Sequence, residues 1–340
     1  MVWVYFVAIA AVIIFAGSRL SIFADQLADL LKLSRSAVGI LLVSFVTTLP
    51  ELSTTIGAIA KVGEPNLALG NNLGSVLFNL MIIGICDIIF RKGGILRQTA
   101  NYVPCVFHSM LLIILMLITL ILPNAISLSG FNFSVGSVLV IVAYIAIFFT
   151  THRDGSTHQE QILDEFHAVT DKVAHPDNRH PTLVKALTGF VISGIIVVIS
   201  GITLASIGDQ IAETTGLGQS FVGTLFLAIA TSLPELAVGI TAVRIGAYDL
   251  MIGNVAGANM LNVLVMAIAD LIHRKEALHI PDNLVPSQLL TGFCAIVVTL
   301  LVMGAMKQKR KSRLGFGWES VVMLSVYVAS LYALYRGLLC

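Results

Sequence analysis

Apolar runs long enough to cross a bilayer dominate this sequence. Each continues for roughly 18 residues or more with few charges, and a helix of about 20 residues spans the ~30 Å hydrocarbon core. Within that core only helices and closed barrels satisfy their own backbone groups, and continuous apolar runs of this length select the helix. With 57% hydrophobic and 11% charged residues in 340, a water-soluble globule is excluded. The chain is predicted to be an all-α polytopic membrane protein. Reading between polar breaks gives about ten transmembrane helices, near 2–17, 36–60, 65–89, 103–123, 133–150, 183–205, 219–243, 248–272, 286–306 and 317–338.

The run from Met1 to Gly17 lacks a basic leading segment, and Arg19 follows it, so it reads as a retained first span and not as a cleaved signal. The longest polar stretch, 151–181, joins a first half (1–150) to a second (182–340). In this ten-span scheme 16 of the 20 Lys and Arg fall on one side, leaving Lys61, Arg274, Lys275 and Arg336 on the other. The positive-inside rule then puts both termini outside the cytoplasm and the 151–181 loop within it, in a plasma or inner membrane. The loop's acids and its His158, His167 and His175 read as a solvated linker. The run Lys307 to Arg313 reads as an anchor at anionic lipid. Net charge is +1 and no basic patch offers a footing for nucleic acid. Cys86, Cys105, Cys294 and Cys340 form no CxxC pair and read as packing residues.

The two halves repeat. Thr47-Thr48-Leu49-Pro50-Glu51-Leu52 recurs 184 residues later as Thr231-Ser232-Leu233-Pro234-Glu235-Leu236. Gly70-Asn71 with Gly74 and Asn79 recurs 183 residues later as Gly253-Asn254 with Gly257 and Asn262. Asp25, Gly39 and Asp87 have counterparts in Asp209, Gly223 and Asp270. Five spans is an odd number, so the second copy enters from the opposite face: two inverted-topology five-helix repeats, an architecture typical of secondary transporters.

A carboxylate at the centre of a membrane helix costs about 2.5–3.5 kcal/mol even on the lenient insertion scale. Spans 2 and 7 each carry one, Glu51 and Glu235, beside a proline that frees carbonyls from the helical ladder. Thr47, Thr48, Thr231 and Ser232 lie within one turn of them. In span 3, Asn71, Ser75 and Asn79 share a face at i, i+4, i+8, and Asn254 and Asn262 repeat its two ends. Carboxylate, hydroxyl, amide and carbonyl oxygens without thiolate or imidazole make a ligand set for hard cations, Ca²⁺, Na⁺, H⁺ or Mg²⁺. Gly70/Gly74 and Gly253/Gly257 are small-residue pairs that admit a neighbouring helix. Asp25 and Asp209 read as solvated or capping groups near the membrane edges, and Asp87 and Asp270 as partners of Arg91 and Arg274 at i, i+4.

At these residues the sequence resembles the calcium/cation antiporter superfamily, the sodium/calcium exchanger-like proteins, whose repeats carry a G-[ST]-S-L-P-E helix and a G-N-x-x-G-S-N helix. The resemblance covers nearly the whole chain. It implies alternating access, with Glu51 and Glu235 as central cation ligands, Thr47, Thr48, Thr231 and Ser232 supplying hydroxyl or backbone oxygens, and Ser75, Asn79 and Asn262 completing the sites. Spans 1 and 6 resemble the family's sliding gate helices. Four positions depart from it: Val46 and Ala230 replace glycines, Ala258 replaces a serine, and Asn262 stands where many members have Asp. Two carboxylates then match one Ca²⁺, two Na⁺ or two H⁺. The expected function is an antiporter exchanging Ca²⁺ or another divalent cation for Na⁺ or H⁺. The cations are substrates, no resident cofactor is expected, and the partners are these ions and the lipid bilayer around a monomeric transport unit. The rivals are a channel, a Na⁺/H⁺-type exchanger without Ca²⁺ transport, and a membrane enzyme, for which His108-Ser109 offers no repeated partner.

Overall fold

The computed structural model describes residues 1–30, 45–90, 94–121, 125–128, 131–154, 182–246, 248–272, 285–308 and 316–336. Helix α1 spans Val2–Leu30 and α2 spans Leu49–Ile56, continuing as a π-helical segment, Gly57–Val62. They are followed by α3 (Pro65–Phe90), α4 (Val103–Ile121) and α5 (Val135–Asp154). In the second half α6 is Leu183–Thr215, α7 is Gln219–Thr231 with a π segment at Gly223–Leu227, and α8 is Leu233–Ile245. Helices α9 (Tyr248–Ile272), α10 (Val285–Met306) and α11 (Trp318–Tyr335) complete the described chain.

Seven of these helices are long and apolar enough to cross a membrane, and α7 with α8 makes an eighth if that pair, bent by 49°, counts as one span. The remaining two expected spans differ for identifiable reasons. The one near 36–60 begins in 31–44, outside the described residues. The one near 133–150 is a shorter apolar stretch, Val135–Phe149 of α5. Before α5 the chain forms a small antiparallel hairpin, β1 (Ala125–Leu128) with β2 (Phe131–Ser134), in which Ala125 pairs with Ser134 and Leu128 with Phe131. The mid-chain loop falls at 155–181 and the basic run at 309–315, both outside the described residues. Cys86, Cys105 and Cys294 are free thiols.

Helix α3 is the axis of the assembly. Within its spanning window 78% is buried, against 22% for α1, whose Val4, Tyr5 and Phe15 are exposed as befits a lipid-facing surface. Helices α1 and α6 lie antiparallel, with Phe23 against Gly189 and Leu20 against Gly194. Helix α6 also covers α2 at backbone distance. A Cβ on Gly57 would stand 2.8 Å from the Ile202 Cα, and one on Gly201 would overlap Ser53. The equivalent pair on the other side is looser, since Gly17 meets only Pro234, at 3.3 Å.

Buried acids clasp the ends of this bundle. Asp87 accepts hydrogen bonds from the Ile95 amide (2.7 Å), the Gly317 amide (2.7 Å) and the Ser320 hydroxyl (2.6 Å), so the end of α3 is tied to the start of α11. Beside it Glu319 pairs with Arg97 at 3.2 Å and accepts from Gln308 at 2.9 Å. Asp270, at the end of α9, accepts from the Ser134 amide (2.9 Å) and so holds the start of α5. The spacing of Asp87 from Arg91 suggests a local ion pair. The carboxylate instead serves distant backbone donors, because these amides at helix starts have no partner of their own. Arg91 and Arg274 lie outside the described residues. Asp87→Asn keeps one acceptor oxygen and turns an NH₂ toward the remaining donors. It should lower stability by about 1–2 kcal/mol, read as a fall in melting temperature of the detergent-solubilised protein.

Just before α3, Glu64 lies in a turn outside the spans, near Asp209 and Glu213 at the far end of α6. Burial, and then the charges of Asp209 and Glu213, hold its carboxyl above the usual carboxylate range. A raised acid loses favourable folding energy as pH climbs through its folded pKa. Glu64→Gln should therefore raise the melting temperature at neutral pH and leave it unchanged near pH 4, where both forms are uncharged. A shift that persists undiminished at pH 4 would contradict the repulsion.

Candidate cation site

Two helix breaks create the site. Thr48 (φ −85°, ψ −2°) precedes α2 and Ser232 (φ −91°, ψ 10°) separates α7 from α8. Pro50 and Pro234 lie in the first turn of the new helices, where a missing N–H costs nothing. Glu51 and Glu235 are the acidic residues of those first turns, each accepting from its own backbone N–H. The positive end of the helix dipole thus favours a carboxylate at a depth where lipid would not.

All nine residues expected at the site are buried, with Glu51 at 0% and Glu235 at 1% exposure. The two halves reach across to each other. Ser232 Oγ donates to Glu51 Oε1 at 3.0 Å and the Thr231 hydroxyl also bonds to Glu51, while the Thr47 hydroxyl bonds to Glu235. Ser75 Oγ lies 3.5 Å from Thr231 Oγ1, which is 3.3 Å from Asn71 Oδ1 and 3.1 Å from the Leu227 carbonyl. Asn79 Nδ2 donates to Asn259 Oδ1 at 3.1 Å. Thr48 contributes the carbonyl that accepts from Leu52 N, and Asn262 is buried on α9.

Four oxygens in this set have no hydrogen-bond partner: Glu51 Oε2, Glu235 Oε2, Asn79 Oδ1 and Asn262 Oδ1. Among the described residues, the electrostatic neighbours found for the two carboxylates are hydroxyls, backbone and one another, with no lysine or arginine. Paired acids in a low dielectric without a countercharge are costly. A bound cation supplies both the missing charge and the missing partner for each oxygen.

Asn71 and Asn259 belong to the site although the ligand assignment by sequence leaves them out. Asn71 was visible in the polar face of α3. Asn259 stands one residue off the i, i+4, i+8 stripe of span 8, so only its contact with Asn79 reveals it. The glycine pair of α3 receives α7 at backbone contact. A Cβ on Gly70 would lie 2.8 Å from the Ser220 carbonyl oxygen, and one on Gly74 2.6 Å from the Thr224 Cα.

Residues 1–151 and 185–336 match the family described as sodium/calcium exchanger protein. An uncharacterized membrane protein of Methanocaldococcus jannaschii is 24% identical over 316 residues, which cover 92% of this chain and 91% of that one. The inner membrane protein YrbG of Escherichia coli is 26% identical over 270 residues, 75% and 74% of the respective chains. The sodium/calcium exchanger MaX1 of Methanosarcina acetivorans is 28% identical over 125 residues, 36% of this chain and 33% of that one. Among solved structures, native YfkE superposes with a TM-score of 0.64 at 16% identity, covering 98% of this chain and 92% of the other. The sodium-calcium exchanger NCX_Mj soaked with Na⁺ and Ca²⁺ gives 0.59 at 18% identity, covering 98% of both. At these identities the structures speak for the fold alone.

Proposed function

Because the chain belongs to the sodium/calcium exchanger protein family, we propose that this cation exchanger is an antiporter that carries Ca²⁺ or a similar divalent cation against Na⁺ or H⁺. The observation that carries the reading is the buried pair Glu51 and Glu235. They stand on opposite broken helices, each bonded to a hydroxyl of the other half and each with one oxygen left over. In this reading Glu51, Glu235, Asn79 and Asn262 ligate the ion through their spare oxygens. Thr47, Thr48, Thr231, Ser232 and Ser75 contribute hydroxyl or carbonyl oxygens around it.

Ten spans in two inverted repeats fit the way the halves interlock. Asp87 bonds the Gly317 amide and Asp270 bonds the Ser134 amide, and both acids and both donors are 183 residues apart. Gly17 against Pro234 and Gly201 against Ser53 form a second such pair of contacts. With an odd number of spans per repeat and the basic residues distributed as they are, both termini face away from the cytoplasm. The antiparallel α1 and α6 would act as gates that expose the centre to one face at a time, with one chain as the transport unit.

The charge of the site sets the coupling. Two carboxylates neutralise one divalent ion, two Na⁺ or two H⁺, so exchange should carry little net charge. The test is ⁴⁵Ca²⁺ uptake into proteoliposomes with Na⁺ and pH gradients imposed separately. Uptake driven by either gradient supports antiport. Uptake indifferent to both would establish a channel, and a reversal potential of three Na⁺ per Ca²⁺ would overturn the charge assignment.

A further inference from the structure

Asn79 and Asn259 are both fully buried, one on α3 and the other on α9. A side-chain amide has an oxygen end that accepts and a nitrogen end that donates, and only an oxygen can ligate a cation. A buried asparagine serves as a ligand only when something fixes which end faces the ion, because the two ends are nearly equal in shape. Here Asn79 Nδ2 donates to Asn259 Oδ1 at 3.1 Å, and Asn79 Oδ1 is left without a hydrogen-bond partner. The reverse orientation would place the Asn79 oxygen against Asn259 and turn an NH₂ toward the carboxylate oxygens' ion.

We infer that Asn259 is a positioning residue: by accepting the Asn79 amide hydrogen, it holds the Asn79 oxygen in place as a cation ligand. This rests on the proposed reading of Glu51, Glu235, Asn79 and Asn262 as the ion's ligands. The device is one-sided. The residue 183 positions before Asn259 is Val76, buried and unable to accept a hydrogen bond, so α3 offers Asn262 no such partner at that position. The two halves therefore present their amides differently: one is set in advance, while the other has no equivalent anchor. An oriented ligand gives up less freedom on binding, so the contribution of Asn79 to affinity depends on Asn259.

The experiment measures the Ca²⁺ dissociation constant by calorimetry on the purified full chain in detergent, and KM and Vmax in proteoliposomes. Asn259→Val, which copies the first half, should raise Kd and KM about tenfold with Vmax within about twofold, a loss expected for one ligand-orienting hydrogen bond. Asn259→Asp keeps the acceptor and should hold Kd at or below the wild-type value. In an Asn79→Asp background both ends of residue 79 are oxygens, so Asn259→Val should there change Kd by less than about twofold. Equal weakening by Val and Asp, or a Val effect that persists undiminished in that background, would make Asn259 a packing residue and overturn the inference. Wild-type protein that binds no Ca²⁺ would overturn the ligand reading and this inference with it. Glu51→Gln in the same assay separates the two, since it should abolish binding whatever residue stands at 259.

Discussion

Glu51→Gln and Glu235→Gln should each reduce ⁴⁵Ca²⁺ uptake by at least about a hundredfold while leaving the protein folded. Glutamine keeps the size of the side chain and the oxygen that meets Ser232 or Thr47, and removes only the charge. A unit charge about 4 Å from another at an effective dielectric near 20 is worth about 4 kcal/mol, and each ~1.4 kcal/mol is tenfold in affinity. A divalent ion loses more than a monovalent one, so Na⁺ binding should suffer less than Ca²⁺ binding. Neutralising one of two buried acids relieves their repulsion, and the melting temperature without divalent ion should hold or rise. The double variant should be no slower than either single one, because the pair acts as a unit. Uptake unchanged in both single variants would remove the carboxylates from the site.

Gly74→Val should cost about 3 kcal/mol or more, enough to lose most of the folded protein from detergent extracts. A Cβ at this position would sit 2.6 Å from both the Thr224 Cα and its carbonyl oxygen and 2.9 Å from the Ala228 Cβ. These are largely backbone atoms of a helix that cannot rotate aside. Overpacking typically costs 1–3 kcal/mol when side chains can yield, and here the helix itself must move. It also carries Thr231, so any surviving protein should bind Ca²⁺ weakly. Gly304, with nothing within 4 Å of its Cβ position, is the control: Gly304→Ala should leave the melting temperature unchanged or slightly raised. Size-exclusion profiles and thermal denaturation in the same detergent would show the contrast.

Much of the site is legible before any coordinates, because membrane helices leave little reason for a carboxylate and less for two at matching positions. The repeated Leu-Pro-Glu identifies Glu51 and Glu235, and the hydroxyls one turn before them follow from helical spacing. The position of the break is harder to read. A proline within an apolar run suggests a kink at itself, whereas the chain turns at Thr48 and Ser232 and puts the proline inside the next helix. Asn259 escapes because its role lies in a contact between α3 and α9, 180 residues apart, and not in a stripe along one helix. The partners of Asp87 escape for the same reason, since sequence spacing offers Arg91 and the folded chain offers Gly317 and Ser320. The hairpin before α5 is lost among apolar residues because Ile126, Leu128, Phe131 and Phe133 count as readily toward a span as toward alternating strands.

The clasp at Asp87 has a timetable. Its hydroxyl donor, Ser320, comes 233 residues later, and at about 5–20 residues per second the ribosome needs on the order of 10–50 s to reach it. Throughout that interval α3 is in the membrane with an acid still waiting for two of its three donors. A nascent chain stalled or cleaved before residue 317 never supplies them. Arrival of the final helix is thus a chemical mark of completion, one that a membrane protease or insertase can sense as the difference between an open carboxylate and a closed one.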